Sequence, residues 1–135
     1  MNTLKNLFLF IASCLNTVLS DIATIKSKVV DSGVVTINGN FCKYVKKNGY
    51  VFVFGDSPYG GGNSGGNITV GSEYKTVGTL PVALRPSNSV YFTPTAKGGT
   101  ADFTGLIDTD GSVSLYSTTA TPYWGYSVMF PIEDA

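Results

Sequence analysis

At 135 residues the chain is sized for one domain plus an accessory segment, and a large multidomain enzyme is excluded. Nine basic side chains cancel nine acidic ones and only 13% of residues are charged, which leaves no basic field to gather nucleic acid or anionic lipid. Histidine is absent, so the side chain most used for proton transfer near neutral pH and for metal ligation is missing; no cofactor, metal set or catalytic group is expected.

Composition breaks near Ser32 and Gly33: residues 1–31 contain no glycine or proline, and the rest carries all 16 Gly and 6 Pro. In the first part Leu4, Phe8, Ile11, Leu15, Val18, Ile22, Ile25 and Val29 alternate spacings of four and three without a slip, the 3.5-residue repeat of a coiled coil. The spacing predicts a helix over residues 3–30, with Phe8, Leu15, Ile22 and Val29 at a positions and Leu4, Ile11, Val18 and Ile25 at d. Three of the four d residues are β-branched, which disfavours a parallel dimer and points to three or more strands.

Residues 1–20 also fit a bacterial export signal: Lys5, an apolar run over residues 7–12, and Ile11-Ala12-Ser13-Cys14 resembling a lipoprotein processing site. Against it, the heptad runs unbroken across that point and the basic region is a single lysine. Membrane insertion is not expected, because Asn6 and Asn16 bracket an apolar stretch shorter than the roughly 20 residues a bilayer requires.

From Val34 onward the pattern is β. Short β-branched or aromatic runs are expected at residues 34–37, 41–45, 50–54, 67–70, 74–77, 89–93, 101–103, 105–108, 112–117 and 123–130, separated by turn residues. Asp110-Gly111 is the strongest hairpin signal, expected as a type I′ turn, and Asn48-Gly49 is a second. Residues 50–54 are apolar on both faces, which predicts a central strand packed on each side, one of those sides being open to a neighbouring subunit. Cys14 and Cys42 fit neither a disulfide framework nor a zinc site and read as buried small hydrophobes. The whole predicts a mainly β chain: residues 1–32 a trimeric coiled-coil helix, residues 33–135 an antiparallel β-sandwich or jelly-roll-like head.

Three motifs imitate chemistry. Phe54-Gly55-Asp56-Ser57 looks like the first block of GDSL esterases, but the histidine base their serine needs is absent. Gly60-x-Gly62-x-x-Gly65 matches a dinucleotide pattern in letters only, since a strand-like run and not a helix follows. Asp108-x-Asp110-Gly111 lacks the further oxygen ligands of a calcium loop. Saccharide sites, by contrast, use aromatic faces beside Asp and Asn, and the chain has both. Alternation over residues 123–130 sends Trp124, Tyr126, Val128 and Phe130 to one face, so Trp124 is expected in the core. The candidate ligand residues are Asp56, Tyr59 and Asn63 around the glycine-rich loop of residues 55–66, followed by Asp102 and Tyr123.

Leu80-Pro81-Val82-Ala83-Leu84-Arg85-Pro86-Ser87, Val90-Tyr91-Phe92, and Gly105-Leu106-Ile107 with Asp110-Gly111-Ser112-Val113-Ser114-Leu115 form a block covering about residues 79–132. With the preceding helix, it resembles the ending of bacteriophage tail-fibre and receptor-binding baseplate proteins. The resemblance implies a homotrimer in the virion tail, no catalytic residues, contact with other tail proteins, and an exposed β surface that holds host cell-surface saccharide. The alternative is an exported bacterial surface lipoprotein with a β binding or scaffold domain.

Overall fold

The computed structural model describes residues 2–58, 66–98 and 102–132, without the side chains of residues 24–29. It divides into two compact units, Met1–Val30 and Asp31–Ala135.

The first unit is one helix, α1 (Asn2–Val29), uninterrupted because its sequence offers no glycine or proline to break it. The seam residues Leu4, Phe8, Ile11, Leu15, Val18 and Ile22 are each at least 51% exposed; the side chains of Ile25 and Val29 lie outside the described residues. Leu7, Leu9 and Phe10, off the seam, are exposed as well. Asn2–Ala23 is 22 residues long and apolar enough to cross a membrane. That corrects the expected shortness of the apolar run, since two uncharged asparagines do not interrupt a span of ~33 Å at ~1.5 Å per residue. Cys14 is exposed here, contrary to expectation.

The second unit is mainly β. Its strands are β1 (Val35–Asn38), β2 (Cys42–Lys47), β3 (Tyr50–Ser57), β4 (Lys75–Thr79), β5 (Val90–Phe92), β6 (Thr95–Ala96), β7 (Phe103–Ile107), β8 (Ser112–Ser117) and β9 (Trp124–Pro131), with a short 3-10 turn at Val82–Leu84. They form two antiparallel sheets, ordered β1-β2-β3-β9-β6 and β4-β8-β7-β5. Alternation along β3 and β9 buries Val51, Val53, Trp124, Tyr126, Val128 and Phe130 against Val77, Phe103, Ile107, Val113 and Leu115 of the second sheet. The Phe92 and Tyr126 rings meet across the sheets at 5.4 Å, and the Asn38 side-chain amide donates to the Val77 carbonyl at 2.9 Å. Trp124 is 3% exposed, as the alternation requires.

Several expectations are corrected. Residues 67–70 do not form a strand; only Val70 bridges Thr121. The Asn67 side chain and the Ile68 amide are drawn to the Ser57 hydroxyl instead of a ladder. The two runs around residues 101–108 are one strand, β7, within the described residues. The two-residue β6, pairing with β9, had no signal in so short a segment. The type I′ turn lies at Asn48 (φ 53°) and Gly49 (φ 79°), joining β2 to β3. At the β7–β8 hairpin only Gly111 is left-handed (φ 86°), and the Gly111 amide donates to the Asp108 carbonyl at 2.9 Å, so that turn is of type I with a glycine bulge. Asp110 instead binds ahead, its carboxylate accepting from the Ser112 amide at 2.9 Å and hydroxyl at 2.6 Å.

Finally, β3 is packed on one side only. Tyr50 and Phe52 remain exposed, and the pairings Val45↔Phe52↔Met129 set an apolar row on the outer face of the first sheet. The chain enters this unit beside that row: the Asn48 amide donates to the Asp31 carboxylate and the Ser32 amide to the Lys46 carbonyl.

Candidate functional site

The outer face of β3 ends at Asp56, which pairs with Gly125 of β9, which in turn pairs with Thr95 of β6. These three lie in one row across the sheet. Gly125 has no side chain, so the row is a trough with Asp56 on one wall and Thr95 on the other. Its surroundings form a shallow cavity of about 370 Å³ whose lining includes Pro58, Lys97 and Tyr123. Lys97 is fixed there by its backbone amide, which donates to the Tyr123 carbonyl at 3.0 Å. On the opposite flank of Asp56 a second hollow of about 300 Å³ is lined by Asn40, Lys43 and Phe54. Asp56 thus stands between two adjoining hollows, with a lysine in each.

The sequence candidates divide accordingly. Asp56 and Tyr123, 67 positions apart, are brought together through the β3–β9 pairing. Asp102 is not in this cavity; it precedes β7, where its carbonyl accepts from the Thr118 amide at 3.2 Å. Tyr59 and Asn63 lie outside the described residues. Thr95, Lys97 and Gly125 were missed, because none carries a type signal that distinguishes it before the strands are paired. A further aromatic surface was missed too: Tyr74 is half exposed, its ring 5.5 Å from that of Tyr116, beside a hollow of about 340 Å³ that includes Glu73 and Lys75.

What supports the trough from below is polar but committed. Ser57 is buried; its hydroxyl donates to the Pro122 carbonyl at 2.6 Å and accepts from the Asn67 amide at 2.9 Å. A hydroxyl held this way is a staple between β3 and the segments at residues 67–68 and 122, and its proton is directed at a carbonyl and not at a general base. Trp124 Nε1 donates to the Ile68 carbonyl at 2.8 Å, closing the same junction. The buried pair Cys42 and Tyr126 belongs to the core: burial pushes both the thiol and the phenol up, and the Tyr126 hydroxyl donates to the Phe41 carbonyl at 2.8 Å. Among the described residues no group of three or more His, Cys, Asp or Glu side chains converges on a point that could hold a metal ion.

The arrangement offers an acceptor, a hydroxyl, an ammonium and apolar surface around a flat floor, which is recognition chemistry for a hydroxyl-rich molecule. Compared with known proteins, the chain matches no family model and no curated sequence.

Proposed function

We propose that the chain is a non-enzymatic, trimeric fibre-type binding protein of a phage tail, whose β head holds a bacterial surface saccharide. The observation that carries the reading is the helical seam: six described a and d residues, spaced alternately by four and three, are all exposed in one chain. An apolar stripe of that length in water is unstable alone, and copies of itself cover it register for register. The head in this reading is a jelly-roll-like sandwich in a threefold assembly, and the exposed pair Phe52 and Met129, flanked by the half-buried Val45, gives a second apolar surface to cover.

Position supports the binding role. The chain enters the β unit at Asp31, hydrogen-bonded to the Asn48–Gly49 turn, whereas Asp56 and Gly125 lie at the other end of β3. Eight residues of strand separate those ends, roughly 25 Å at ~3.3 Å per residue, so within the β unit the hollows lie at the far end of β3 from the turn that holds Asp31. Weak single sites on one stem gain roughly 10²–10⁴ in avidity when three engage together. The test is adhesion of the full chain and of its Val18→Asp/Ile22→Asp variant to host cells and purified cell-wall polysaccharide. The trimer is expected to adhere and the variant to lose most adhesion; a blank for the intact trimer on both supports removes the receptor-binding role.

A second reading rests on its own observation. Leu7, Leu9 and Phe10 make the first half of α1 apolar beyond the seam, and Asn2–Ala23 has membrane-spanning length. An exported surface lipoprotein accounts for that, with Cys14 as the lipid-bearing residue. A mature chain beginning at Cys14 and carrying lipid decides for it.

A further inference from the structure

Four glycines stand inside described strands: Gly55, Gly78, Gly105 and Gly125. Glycine weakens a strand, contributing no side chain to pack and losing more freedom on folding, so each position calls for a reason. Packing gives it for three of them. A Cβ on Gly55 would overlap the Phe41 carbonyl oxygen, one on Gly105 would overlap the Phe92 ring, and one on Gly78 would lie 2.6 Å from Cys42 Sγ. Gly125 is different. Its φ is not positive, and a Cβ there would meet only Asp56 Cβ and the Gly55 carbonyl oxygen, both at an ordinary 3.8 Å. Nothing in the fold excludes a side chain at this position, yet the position floors the trough between Asp56 and Thr95.

We infer that Gly125 is kept bare by a ligand: it is the floor of a subsite for one neutral sugar ring lying flat across β9, with Asp56 and Thr95 as its polar walls. The inference rests on the saccharide-binding reading above and names the site and ring class within it. A carboxylate accepts hydroxyl protons, and a threonine hydroxyl both gives and accepts. The cavity of about 370 Å³ is at the small end of ligand pockets, suited to a single ring. Pro58 and Tyr123 offer apolar surface to the ring's C–H face. Lys97 and Asp56, of opposite formal charge, both line the hollow, so its residues give an acidic sugar no net attraction. A strand without a side chain at Gly125 lets the ring approach the backbone; a β-branched side chain there occupies the ring's place.

The experiment is an amide-resolved NMR titration of the full chain with the methyl glycosides of glucose, galactose and N-acetylglucosamine, repeated with Gly125→Val. Saturable shifts are expected at the Asp56, Thr95 and Gly125 amides of the native chain. Gly125→Val is expected to bind at least tenfold more weakly while its thermal midpoint stays level or rises. Should valine lower the midpoint, Gly125→Ala reads the same question with a loss of threefold or more. Unchanged affinity in the folded variant, or shifts that map to Tyr74 and Tyr116, overturns the subsite and leaves the saccharide reading standing. A native chain that responds to none of the three sugars and to no cell-wall polysaccharide removes both.

Discussion

Trp124 joins packing and polar satisfaction in one side chain. Its ring lies between Phe41, at 6.2 Å, and Tyr126, at 5.9 Å, and its indole N–H meets the Ile68 carbonyl. Removing the ring empties a core position, and Trp124→Ala should cost about 3–5 kcal/mol in urea unfolding. Trp124→Phe keeps most of the packing and leaves the Ile68 carbonyl without this donor, so its cost should be nearer 1–3 kcal/mol. Equal losses for the two would mean the hydrogen bond, and not the ring volume, holds the junction. The two thiols offer a second residue-scale test. Burial raises Cys42 and hides it, whereas Cys14 is exposed, so an aromatic disulfide reagent at neutral pH should modify one thiol per chain before unfolding and two after. Two fast thiols in the folded protein would place Cys42 outside the core. The core role of Trp124 was legible because alternation along a strand is a property of the sequence itself. The neighbourhood of Asp56, Gly125 and Thr95 was not, because it exists only after β3, β9 and β6 pair.

Among the elements, turns separate what a sequence specifies from what geometry selects. Asn48-Gly49 and Asp110-Gly111 look alike as dipeptides, yet only the first closes a two-residue hairpin with both residues left-handed. At the second, Asp110 is held by the Ser112 hydroxyl and amide, which adds a residue to the loop and turns it into a bulge. Those bonds from Ser112, the hydroxyl first, keep the Asp110 carboxyl below the ordinary range. A carboxylate with a lowered folded pKa contributes stability in full above the ordinary Asp value of ~3.9, and loses it as pH falls through the folded value. The stability gap between the native chain and Asp110→Asn should therefore be level near neutrality and close on acidification below about pH 4. A gap that persists unchanged into strong acid would assign the effect to turn geometry and not to charge. Strand content was legible where β-branched and aromatic residues run together, as in β3, β8 and β9. It was not legible at residues 67–70, where side-chain bonds to Ser57 outcompete a ladder, nor at β6, which is too short to carry a pattern.

At the scale of the whole molecule, a single chain leaves a long apolar surface exposed. The two sheets of the β unit bury a shared core but leave Phe52, Tyr74, Val82, Tyr91 and Met129 exposed; the described seam side chains of the helix are exposed too. Composition breaks near Ser32 and Gly33, where glycine and proline begin, and the compact units divide at Val30 and Asp31. β-branched residues at d favour three or more copies, a preference that acts only when helices pack together. Charge at Val18 and Ile22 should dissociate the proposed trimer, since each carboxylate would be repeated around an apolar axis. The most direct test is the native mass of the intact chain in dilute buffer. A species of three times the 14.3 kDa chain mass is expected, falling to one chain mass in Val18→Asp/Ile22→Asp. A native chain found at 14.3 kDa across the working concentration range, or a shortened lipid-bearing chain beginning at Cys14, would contradict it.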